Sequence, residues 1–551
     1  MSRWNYADVW EAVADSVPES GALTHGKETR TWAEFDRRAD HLARWLLGAH
    51  VAYQDKIALY LYNCPEYLET TFACFKLGLV PINTNYRYGE DELVYLWENA
   101  DAVAVVFHGV FSERVEALRS RVPGVRSWLW VDDGTASCPS WAVPYEEAAE
   151  TTGTGGERQD SKRVRAPWGR GPDDLFMLYT GGTTGLPKGV MWRQDDLFSR
   201  LNGGGFRHYP ADGTAEDVRG ELARSGPGMT LLPSCPLMHG TGGFTALECL
   251  SEGGRVVTLV SRRFDPVELL ETVERERVNG VIIVGDAFAK PILAALDADP
   301  GRFDLSSVVG MVSSGVMWSE ETKQGLLGHH PGMLLVDAFS SSEALGMGTS
   351  VSSARGAAHT ARFTLGSEVR VIDGDGGDVT PGSGQPGVLA LGGRIPLGYY
   401  KDEAKTHATF RTIDGVRYSV PGDFAEVAAD GTIHLLGRGS VCINTGGEKV
   451  YPEEVEEVVK TAEGVVDAVV VGVPNERFGE EVVAVVELAP GVDPSDDAEL
   501  AIVEHVKAHL AGFKAPRRVR FVETIGRSPS GKVDYNRHRR ESAESLGVDV
   551  G

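Results

Sequence analysis

Short apolar runs alternate with amphipathic segments through the first two thirds of the chain. Thr31 and Glu34 form a capping box, and the apolar residues that follow at helical spacing predict a helix. The sequence also predicts helices at 65–77 and 266–276. The runs that predict buried strands are 56–61, 79–83, 102–107, 128–131, 175–178, 256–260, 281–284 and 308–313. Strands that alternate with helices indicate α/β layers with largely parallel sheets.

The pattern changes after Gly366. Short β runs separated by Gly and Pro turns, up to about Gly437, predict a small β-barrel. From Val441 onward the pattern predicts a compact α+β module, with helices at 452–460 and 498–509 and strands at 468–472 and 482–487.

Composition narrows the class of protein. A chain of 551 residues is too long for one core and predicts several domains. Its formal net charge of −25 argues against a nucleic-acid partner. No segment approaches the ~18 apolar residues of a membrane span, and the first residues lack the pattern of a signal peptide, so we expect a cytoplasmic protein. Six scattered cysteines without CxxC spacing favour free thiols over disulfides or a zinc site.

The segment 178–190, Leu-Tyr-Thr-Gly-Gly-Thr-Thr-Gly-Leu-Pro-Lys-Gly-Val, carries the clearest chemistry. Its glycines let backbone N–H groups approach a ligand, its threonines add hydroxyl donors, and Lys188 adds a positive charge. The pattern predicts a loop that binds phosphate. It differs from a P-loop because Gly189, rather than Ser or Thr, follows the lysine.

Five further segments occur with this loop in the order known from one family. They are 337–343 (Asp-Ala-Phe-Ser-Ser-Ser-Glu), 418–423 (Tyr-Ser-Val-Pro-Gly-Asp), 437–438 (Gly-Arg), 446–452 (Gly-Gly-Glu-Lys-Val-Tyr-Pro) and 530–532 (Ser-Gly-Lys). Together they resemble the acyl-CoA synthetases of the adenylate-forming superfamily, over nearly the whole chain. The resemblance implies an α/β fold with two layered α/β subdomains and a small β-barrel in an N-terminal domain (1–437), a hinge (438–440) and a mobile α+β domain (441–551).

The resemblance also implies roles for individual residues. Lys532, His239 and Glu343 take catalytic roles, and Thr184 and Glu343 bind Mg²⁺. Coenzyme A contacts Gly446, Gly447 and Lys449. The residues implied to bind ATP or AMP are Thr180, Gly181, Gly182, Thr183, Thr184, Gly185, Lys188, Ser314, Gly315, Asp337, Ala338, Phe339, Ser340, Ser342, Asp423 and Arg438.

These roles are physically reasonable, but several of the residues also have an ordinary structural explanation. Joining a carboxylate to the α-phosphate brings two anions together, and Lys532 is a suitable mobile cation to offset their repulsion. Glu343 could instead be an acid at a helix N-terminus, and Asp423 could be a turn residue. His239 and Phe339 could be ordinary core residues, and Arg438 could be a surface charge. Ser440 departs from the Asp or Lys that many relatives carry at the hinge.

The substrate is less well defined than the reaction. Relatives that activate amino acids carry an Asp near this position to pair with the amino group, and 238–241 (Met-His-Gly-Thr) has none, so the resemblance favours a neutral carboxylic acid. The segments 177–198 and 438–445 resemble actinobacterial ligases for sterol side chains and related polycyclic acids. The glycines at 203–205 and 242–243 would leave room for a wide, rigid acyl group. Fatty acids are the alternative substrate. Three other functions are possible: an enzyme limited to one half-reaction, a luciferase-like oxygenase and an inactive ATP-binding scaffold. The sequence is also compatible with a homodimer.

Overall fold

The computed structural model describes residues 4–150, 163–180, 186–316, 318–356, 361–374, 376–438, 443–445, 448–475, 478–510, 512–528, 531 and 533–548, with backbone alone at 438, 444, 448 and 449. The helices are α1 (Tyr6–Ser16), α2 (Trp32–Gly48), α3 (Pro65–Leu77), α4 (Glu90–Asn99), α5 (Ser112–Leu118), α6 (Tyr145–Ala149), α7 (Gln194–Asn202), α8 (Ala215–Ser225), α9 (Gly240–Ser251), α10 (Pro266–Glu276), α11 (Asp286–Ala298), α12 (Glu320–His329), α13 (Glu403–Thr409), α14 (Pro452–Lys460), α15 (Asp496–His509) and α16 (Tyr535–Ser545).

Strands alternate with these helices through most of the chain. They are β1 (Gly21–His25), β2 (Glu28–Thr31), β3 (Lys56–Tyr60), β4 (Val80–Asn83), β5 (Ala102–His108), β6 (Ser127–Val131), β7 (Val143–Pro144), β8 (Leu175–Thr180), β9 (Lys188–Arg193), β10 (Thr230–Pro233), β11 (Arg255–Thr258), β12 (Gly280–Ile283), β13 (Gly310–Ser314), β14 (Leu334–Ser341), β15 (Ala344–Ser352), β16 (Arg362–Leu365), β17 (Val369–Ile372), β18 (Pro386–Leu391), β19 (Gly398–Tyr399), β20 (Phe410–Ile413), β21 (Val416–Ser419), β22 (Asp423–Val427), β23 (Ile433–Arg438), β24 (Ile443–Thr445), β25 (Glu448–Val450), β26 (Val465–Asn475), β27 (Gly479–Leu488) and β28 (Arg518–Val522).

Two mixed sheets and the helices between them form the bulk of the molecule. The larger sheet has the order β2-β1-β11-β10-β12-β13-β14-β15-β16-β23-β22-β18-β21-β20, with β17 on β18. The second has the order β19-β9-β8-β4-β3-β5-β6-β7. Helix α3 contacts β1 of the larger sheet and both β3 and β4 of the second, and every one of its residues is buried. The two sheets therefore share one hydrophobic core through α3, and the predicted α/β class is confirmed.

The predicted small β-barrel takes a different form. Within the described residues, β16, β23, β22, β18, β21 and β20 extend the larger sheet by antiparallel pairing, and the strand order ends at β20 without closing. Leu389, Ala425 and Ile433 on these strands are buried. This part of the prediction is wrong because the strands add to a sheet edge that β15 already offers, so they have no need to close on themselves.

The last part of the chain builds its own sheet, as the α+β pattern predicts. Its order is β25-β24-β27-β26, with β28 parallel to β27. Helix α14 packs on β26 through Val455 and Val459, which are fully buried. In the described part of the chain, no helix combines the length and apolar character needed to cross a membrane.

Candidate functional site

Three adjacent parallel strands, β12, β13 and β14, bring several predicted residues to one edge of the larger sheet. Ser314 at the end of β13 pairs with Ala338 of β14, and Gly315 follows with a φ of +101°, a conformation that favours glycine. Phe339 and Ser340 continue β14 beyond this pair. Since ligands bind at the carboxyl ends of such strands, this edge is the candidate site.

Glu343 lies in the tight turn between β14 and β15, where Ser341 pairs with Ala344. It is therefore not at a helix N-terminus, and that alternative is wrong. The side chain is buried, and the Tyr399 hydroxyl donates a hydrogen bond of 2.8 Å to its carboxylate. On the same turn, the Trp192 ring N–H donates to the Ser342 carbonyl oxygen at 3.0 Å. These two bonds hold the turn, and with it Glu343, against the second sheet.

The predicted phosphate loop joins two strands of the second sheet. Thr180 ends β8 and pairs with Lys188 at the start of β9, so the loop emerges from a rigid antiparallel hairpin. Gly181, Gly182, Thr183, Thr184 and Gly185 lie outside the described residues. The Lys188 ammonium forms an ion pair with Asp402, which precedes α13.

His239 is the N-cap residue of α9, and the start of this helix faces the same sheet edge. The Thr241 hydroxyl donates to the carbonyl oxygen of Ser314 at 3.5 Å, which joins α9 to the end of β13. His239 is partly buried. His239 therefore lies next to the candidate site, and its role beside the acyl carboxylate stays a prediction.

Asn83 positions two segments of the candidate site, and the sequence motifs do not predict this role. Its side-chain N–H groups donate to the carbonyl oxygens of Tyr179 and Met238 at 2.8 Å each, and its oxygen accepts from the Tyr179 N–H at 2.6 Å. Buried Asn83 therefore fixes the strand before the phosphate loop relative to the segment before His239. The only signal in the sequence is an amide residue at the end of a predicted strand.

The predicted nucleotide contacts Asp337 and Asp423 are both buried. Asp337 lies 3.4 Å from the Lys323 ammonium, and burial raises the pKa of its carboxyl group to about 6, against the opposing effect of Lys323. Asp423 begins β22 and pairs in register with Arg438, whose side chain lies outside the described residues. The structure thus places Asp423 at the buried start of a strand rather than in an exposed turn.

The C-terminal module contacts the candidate site through Gly531. A Cβ atom on Gly531 would lie 3.2 Å from Val316 Cγ2 and 3.3 Å from Val284 Cγ1, two residues that follow β13 and β12. Lys532, the next residue, lies outside the described residues, as do Gly446 and Gly447, and Lys449 is described by its backbone in β25 only. Gly531, the residue before Lys532, therefore lies at the carboxyl edge of the sheet.

These residues fit a site for a phosphorylated substrate with a divalent cation. Glu343 offers carboxylate oxygens, the ligands that Mg²⁺ prefers, and Mg²⁺ needs only one or two carboxylates because it keeps several waters. The described residues contain no group of three or more His, Cys, Asp or Glu side chains arranged to hold a metal. A Mg²⁺ ion held by Glu343, water and phosphate agrees with that finding.

Comparison with known proteins gives the family. The AMP-binding enzyme model matches residues 10–400, and the model of the AMP-binding enzyme C-terminal domain matches residues 454–532. A 3-oxocholest-4-en-26-oate–CoA ligase of Rhodococcus rhodochrous is 41% identical over 96% of this chain and 94% of its own length. The medium-chain acyl-CoA ligase Mig of Mycobacterium avium is 38% identical over 97% of both chains.

Solved structures with the same fold come from more distant proteins. An anthranilate–CoA ligase, AuaEII, in complex with anthranoyl-AMP superposes with a TM-score of 0.80 at 18% identity, covering 100% of this chain and 99% of that one. ATP-bound MatB from Rhodopseudomonas palustris has a TM-score of 0.77 at 24% identity, covering 98% and 100%. The sequence motifs, the sheet edge and the family models agree, and the chain belongs to the AMP-binding enzymes, the adenylate-forming superfamily of acyl-CoA synthetases.

Proposed function

We propose that this protein is an ATP-dependent, AMP-forming carboxylic acid–CoA ligase. The observation that carries the proposal is the meeting, at one sheet edge, of Glu343, the start of α9 and Gly531. To activate a carboxylate with ATP, an enzyme needs a loop that binds anions, a metal ligand and a segment that carries a lysine.

In the first step, a carboxylate oxygen attacks the α-phosphorus of ATP, and the bond to pyrophosphate breaks. Lys532 supplies positive charge where the two anions meet, which lowers the barrier because their repulsion is otherwise uncompensated. Lys188 and the loop 181–185 hold the pyrophosphate portion, and Asp423 accepts hydrogen bonds from the ribose hydroxyls. His239 lies beside the acyl carboxylate. Glu343 and Thr184 would hold Mg²⁺, which would offset phosphate charge.

In the second step, the thiolate of coenzyme A attacks the acyl carbonyl, and AMP leaves. We assign the thiol path to Gly446 and Gly447, with Lys449 beside it. We also propose a domain division of 1–437, 438–440 and 441–551, in which rotation at 438–440 exchanges the Lys532 segment for the 446–449 segment between the two steps.

The proposed substrate is a bulky polycyclic acid of the steroid type. Its support is the 41% identity to the Rhodococcus rhodochrous ligase for 3-oxocholest-4-en-26-oate. A relative from Mycolicibacterium smegmatis, also 41% identical over 96% of this chain and 95% of its own length, is named for medium- and long-chain fatty acids as well as for that steroid acid. Fatty acids are therefore the second candidate.

A panel of acids tests both the reaction and the substrate. The purified protein is incubated with ATP, Mg²⁺ and coenzyme A, and mass spectrometry detects acyl-AMP and acyl-CoA for steroid acids, fatty acids and aromatic acids. We expect both products with a steroid acid. Acyl-AMP without acyl-CoA would restrict the protein to adenylation, and neither product from any acid would contradict the proposal.

Lys532→Ala tests the assignment of the adenylation lysine. We expect pyrophosphate release to fall by roughly a hundredfold or more, while acyl transfer from synthetic acyl-AMP to coenzyme A stays near the wild-type rate. Lys507→Ala is the matched control, because Lys507 is exposed and its ion pair in the described part of the chain is with Glu504 on the same helix. Unchanged pyrophosphate release in Lys532→Ala would show that the assignment is wrong.

A further inference from the structure

A small cavity lies at the far end of α9 from the candidate site. Its lining includes Tyr6, Arg207, Tyr209, Glu248 and Glu252, and its volume is about 10 Å³. A space of that size holds about one water-sized group. The reaction proposed above uses none of these side chains, so the polar groups need another explanation.

Two of the polar groups have no protein partner in the described part of the chain. The Tyr6 side chain is fully buried, yet its hydroxyl group makes no hydrogen bond. Glu248 is partly accessible, and within the described residues its carboxyl group makes no hydrogen bond or ion pair, so burial and the charge of Glu252 are what act on it. A buried hydroxyl left without a partner costs free energy, so the pair points to an occupant that supplies the missing bonds.

The remaining polar groups around the cavity are already paired. The backbone N–H of Arg207 donates to the Glu252 carboxylate at 3.1 Å, and its guanidinium donates to the Glu252 carbonyl oxygen at 3.0 Å. The Tyr209 hydroxyl donates to the Ser251 carbonyl oxygen at 3.1 Å. The Tyr6 hydroxyl and the Glu248 carboxyl group are therefore the groups that can still hydrogen-bond to a molecule in the cavity.

Helix α9 connects the cavity to the site of chemistry. Glu248 is nine residues after His239, which places it about 14 Å further along the helix axis. Thr241, Thr245 and Glu248 recur at helical spacing and are each partly accessible, so one stripe of α9 runs from Ser314 to the cavity. A long acid with its carboxylate at His239 and its body along this stripe ends near Glu248.

We propose that Tyr6 and Glu248 bind a neutral oxygen, a keto or hydroxyl group, at the end of the substrate opposite its carboxylate. This inference rests on the proposed function and makes the two residues determinants of which acid is activated. Tyr6 donates its hydroxyl proton to that oxygen, and a protonated Glu248 donates a second hydrogen bond. The occupant is one atom of the acid, which agrees with the volume of the cavity.

The electrostatics of the cavity favour a neutral group over a cation. Burial, together with the neighbouring charge of Glu252, raises the pKa of Glu248 to about 8, so its carboxyl group is mostly protonated at neutral pH. A neutral carboxyl group can donate to a carbonyl oxygen, whereas an ionised one only accepts. The guanidinium of Arg207 on the same wall also repels a cation.

Gly205 lies against the two carboxyl groups that border the cavity. A Cβ atom at this position would lie 2.2 Å from Glu252 Oε1 and 3.0 Å from Glu248 Oε1. Any side chain would therefore displace the two carboxyl groups that border the cavity. The absence of a side chain keeps them in place.

The test uses two polycyclic acids that differ only by a keto group at the end opposite the carboxylate. The ratio of their kcat/KM values for acyl-CoA formation is measured for the wild type, Tyr6→Phe, Glu248→Leu and Glu248→Gln. We expect the wild type to prefer the keto acid by about tenfold, as one or two neutral hydrogen bonds allow. Tyr6→Phe and Glu248→Leu should bring the ratio towards one, and Glu248→Gln, which keeps a donor, should retain most of it.

The ratio of the two kcat/KM values separates loss of keto-group recognition from damage to the fold, because misfolding lowers the rate with both acids equally. Tyr88→Phe is a control that removes a tyrosine hydroxyl group away from the cavity, and its ratio should equal that of the wild type. If both acids are activated equally by the wild type, or if the ratio is unmoved in Tyr6→Phe and Glu248→Leu, the cavity holds a structural water only and the inference is wrong. If neither acid yields acyl-CoA, the proposed function fails as well.

Discussion

At the scale of single residues, the candidate site depends on side chains that are held before any ligand binds. Glu343 shows this most clearly, because its carboxylate accepts from Tyr399 while the carbonyl oxygen of its neighbour Ser342 accepts from Trp192. A buried carboxylate with a fixed orientation loses little conformational entropy when it binds a cation. The sequence motif predicts that Glu343 matters, but Tyr399 lies 56 residues away and no local pattern pairs the two.

Replacement of Glu343 tests its role as the magnesium ligand. In Glu343→Gln we expect the rate of pyrophosphate release to fall by roughly a hundredfold, and the Mg²⁺ concentration for half-maximal rate to rise, because an amide is a weaker ligand than a carboxylate. Tyr399→Phe should lower the rate by about tenfold, since the ligand stays but loses its orientation. The measurement is a magnesium titration of the initial rate.

Glu403→Gln serves as the control for this titration, because Glu403 is an exposed residue at the start of α13. Its magnesium dependence should match that of the wild type. A Glu343→Gln variant with an unchanged magnesium titration would remove Glu343 from the metal site, whatever its effect on the maximal rate.

At the scale of helices and strands, the sequence predicts best where a local signal marks an end. Helix α3 begins at Pro65, whose ring fixes φ, and ends before Gly78, which adopts the left-handed φ of +64°. Helix α10 begins at Pro266 after the N-cap Asp265. In both cases the predicted range and the observed range coincide, because the ends are set by residues within the helix or next to it.

Prediction fails where an element depends on distant strands. The strands between Gly366 and Gly437 carry the right local pattern, but whether they close or extend a sheet is decided by their pairing with β15 and β16. The meeting of Ser314, Phe339 and Glu343 at one edge likewise follows from the register of β13 with β14 and β14 with β15. Register is a tertiary property, and a single sequence contains no direct signal for it.

Asn83 offers a test at this scale, because one side chain joins β4, β8 and the segment before α9. In Asn83→Ala, three backbone groups lose their partner, so the free energy of unfolding should fall by about 3 kcal/mol. The KM for ATP should also rise, since the strand before the phosphate loop is no longer fixed to its neighbours. Urea unfolding and initial-rate kinetics provide the two measurements.

Asn85→Ala is a matched control, because the Asn85 side chain bonds locally, accepting from the Arg87 N–H and contacting the Tyr88 side chain three residues on. We expect this variant to lose about 1 kcal/mol or less and to keep the wild-type KM for ATP. An Asn83→Ala variant as stable as the wild type would contradict the cross-link between the three elements.

At the scale of the whole molecule, the C-terminal module contacts the sheet edge that carries the candidate site. Gly531 approaches Val316 and Val284, and the Lys290 ammonium donates to the carbonyl oxygen of Val466 at 3.3 Å across the same interface. The motifs show which residues belong to the site, but they do not show that segments more than 200 residues apart meet. In the proposed reaction, this contact at Gly531, the residue before Lys532, joins the C-terminal module to the sheet edge that binds ATP.

Gly531→Ala tests whether this contact serves the first half-reaction alone. The added Cβ would lie 3.2 Å from Val316 at a φ of +73°, so the Lys532 segment must shift or strain, and a shift of about 1 Å can cost a hundredfold in rate. We expect pyrophosphate release to fall tenfold or more, whereas acyl transfer from synthetic acyl-AMP stays near the wild-type rate. Gly526→Ala is the matched control, with a φ of +67° and only the flexible end of Arg537 near its Cβ.

The comparison of the two variants separates backbone strain from the lost contact. Both place alanine at a left-handed φ, so both should lose a similar amount of stability. Only Gly531→Ala should slow adenylation, because only Gly531 packs against the residues that follow β12 and β13. Equal loss of both half-reactions in Gly531→Ala would mean that the contact stabilises the molecule throughout the cycle, and the proposed exchange of segments between the two steps would then be wrong.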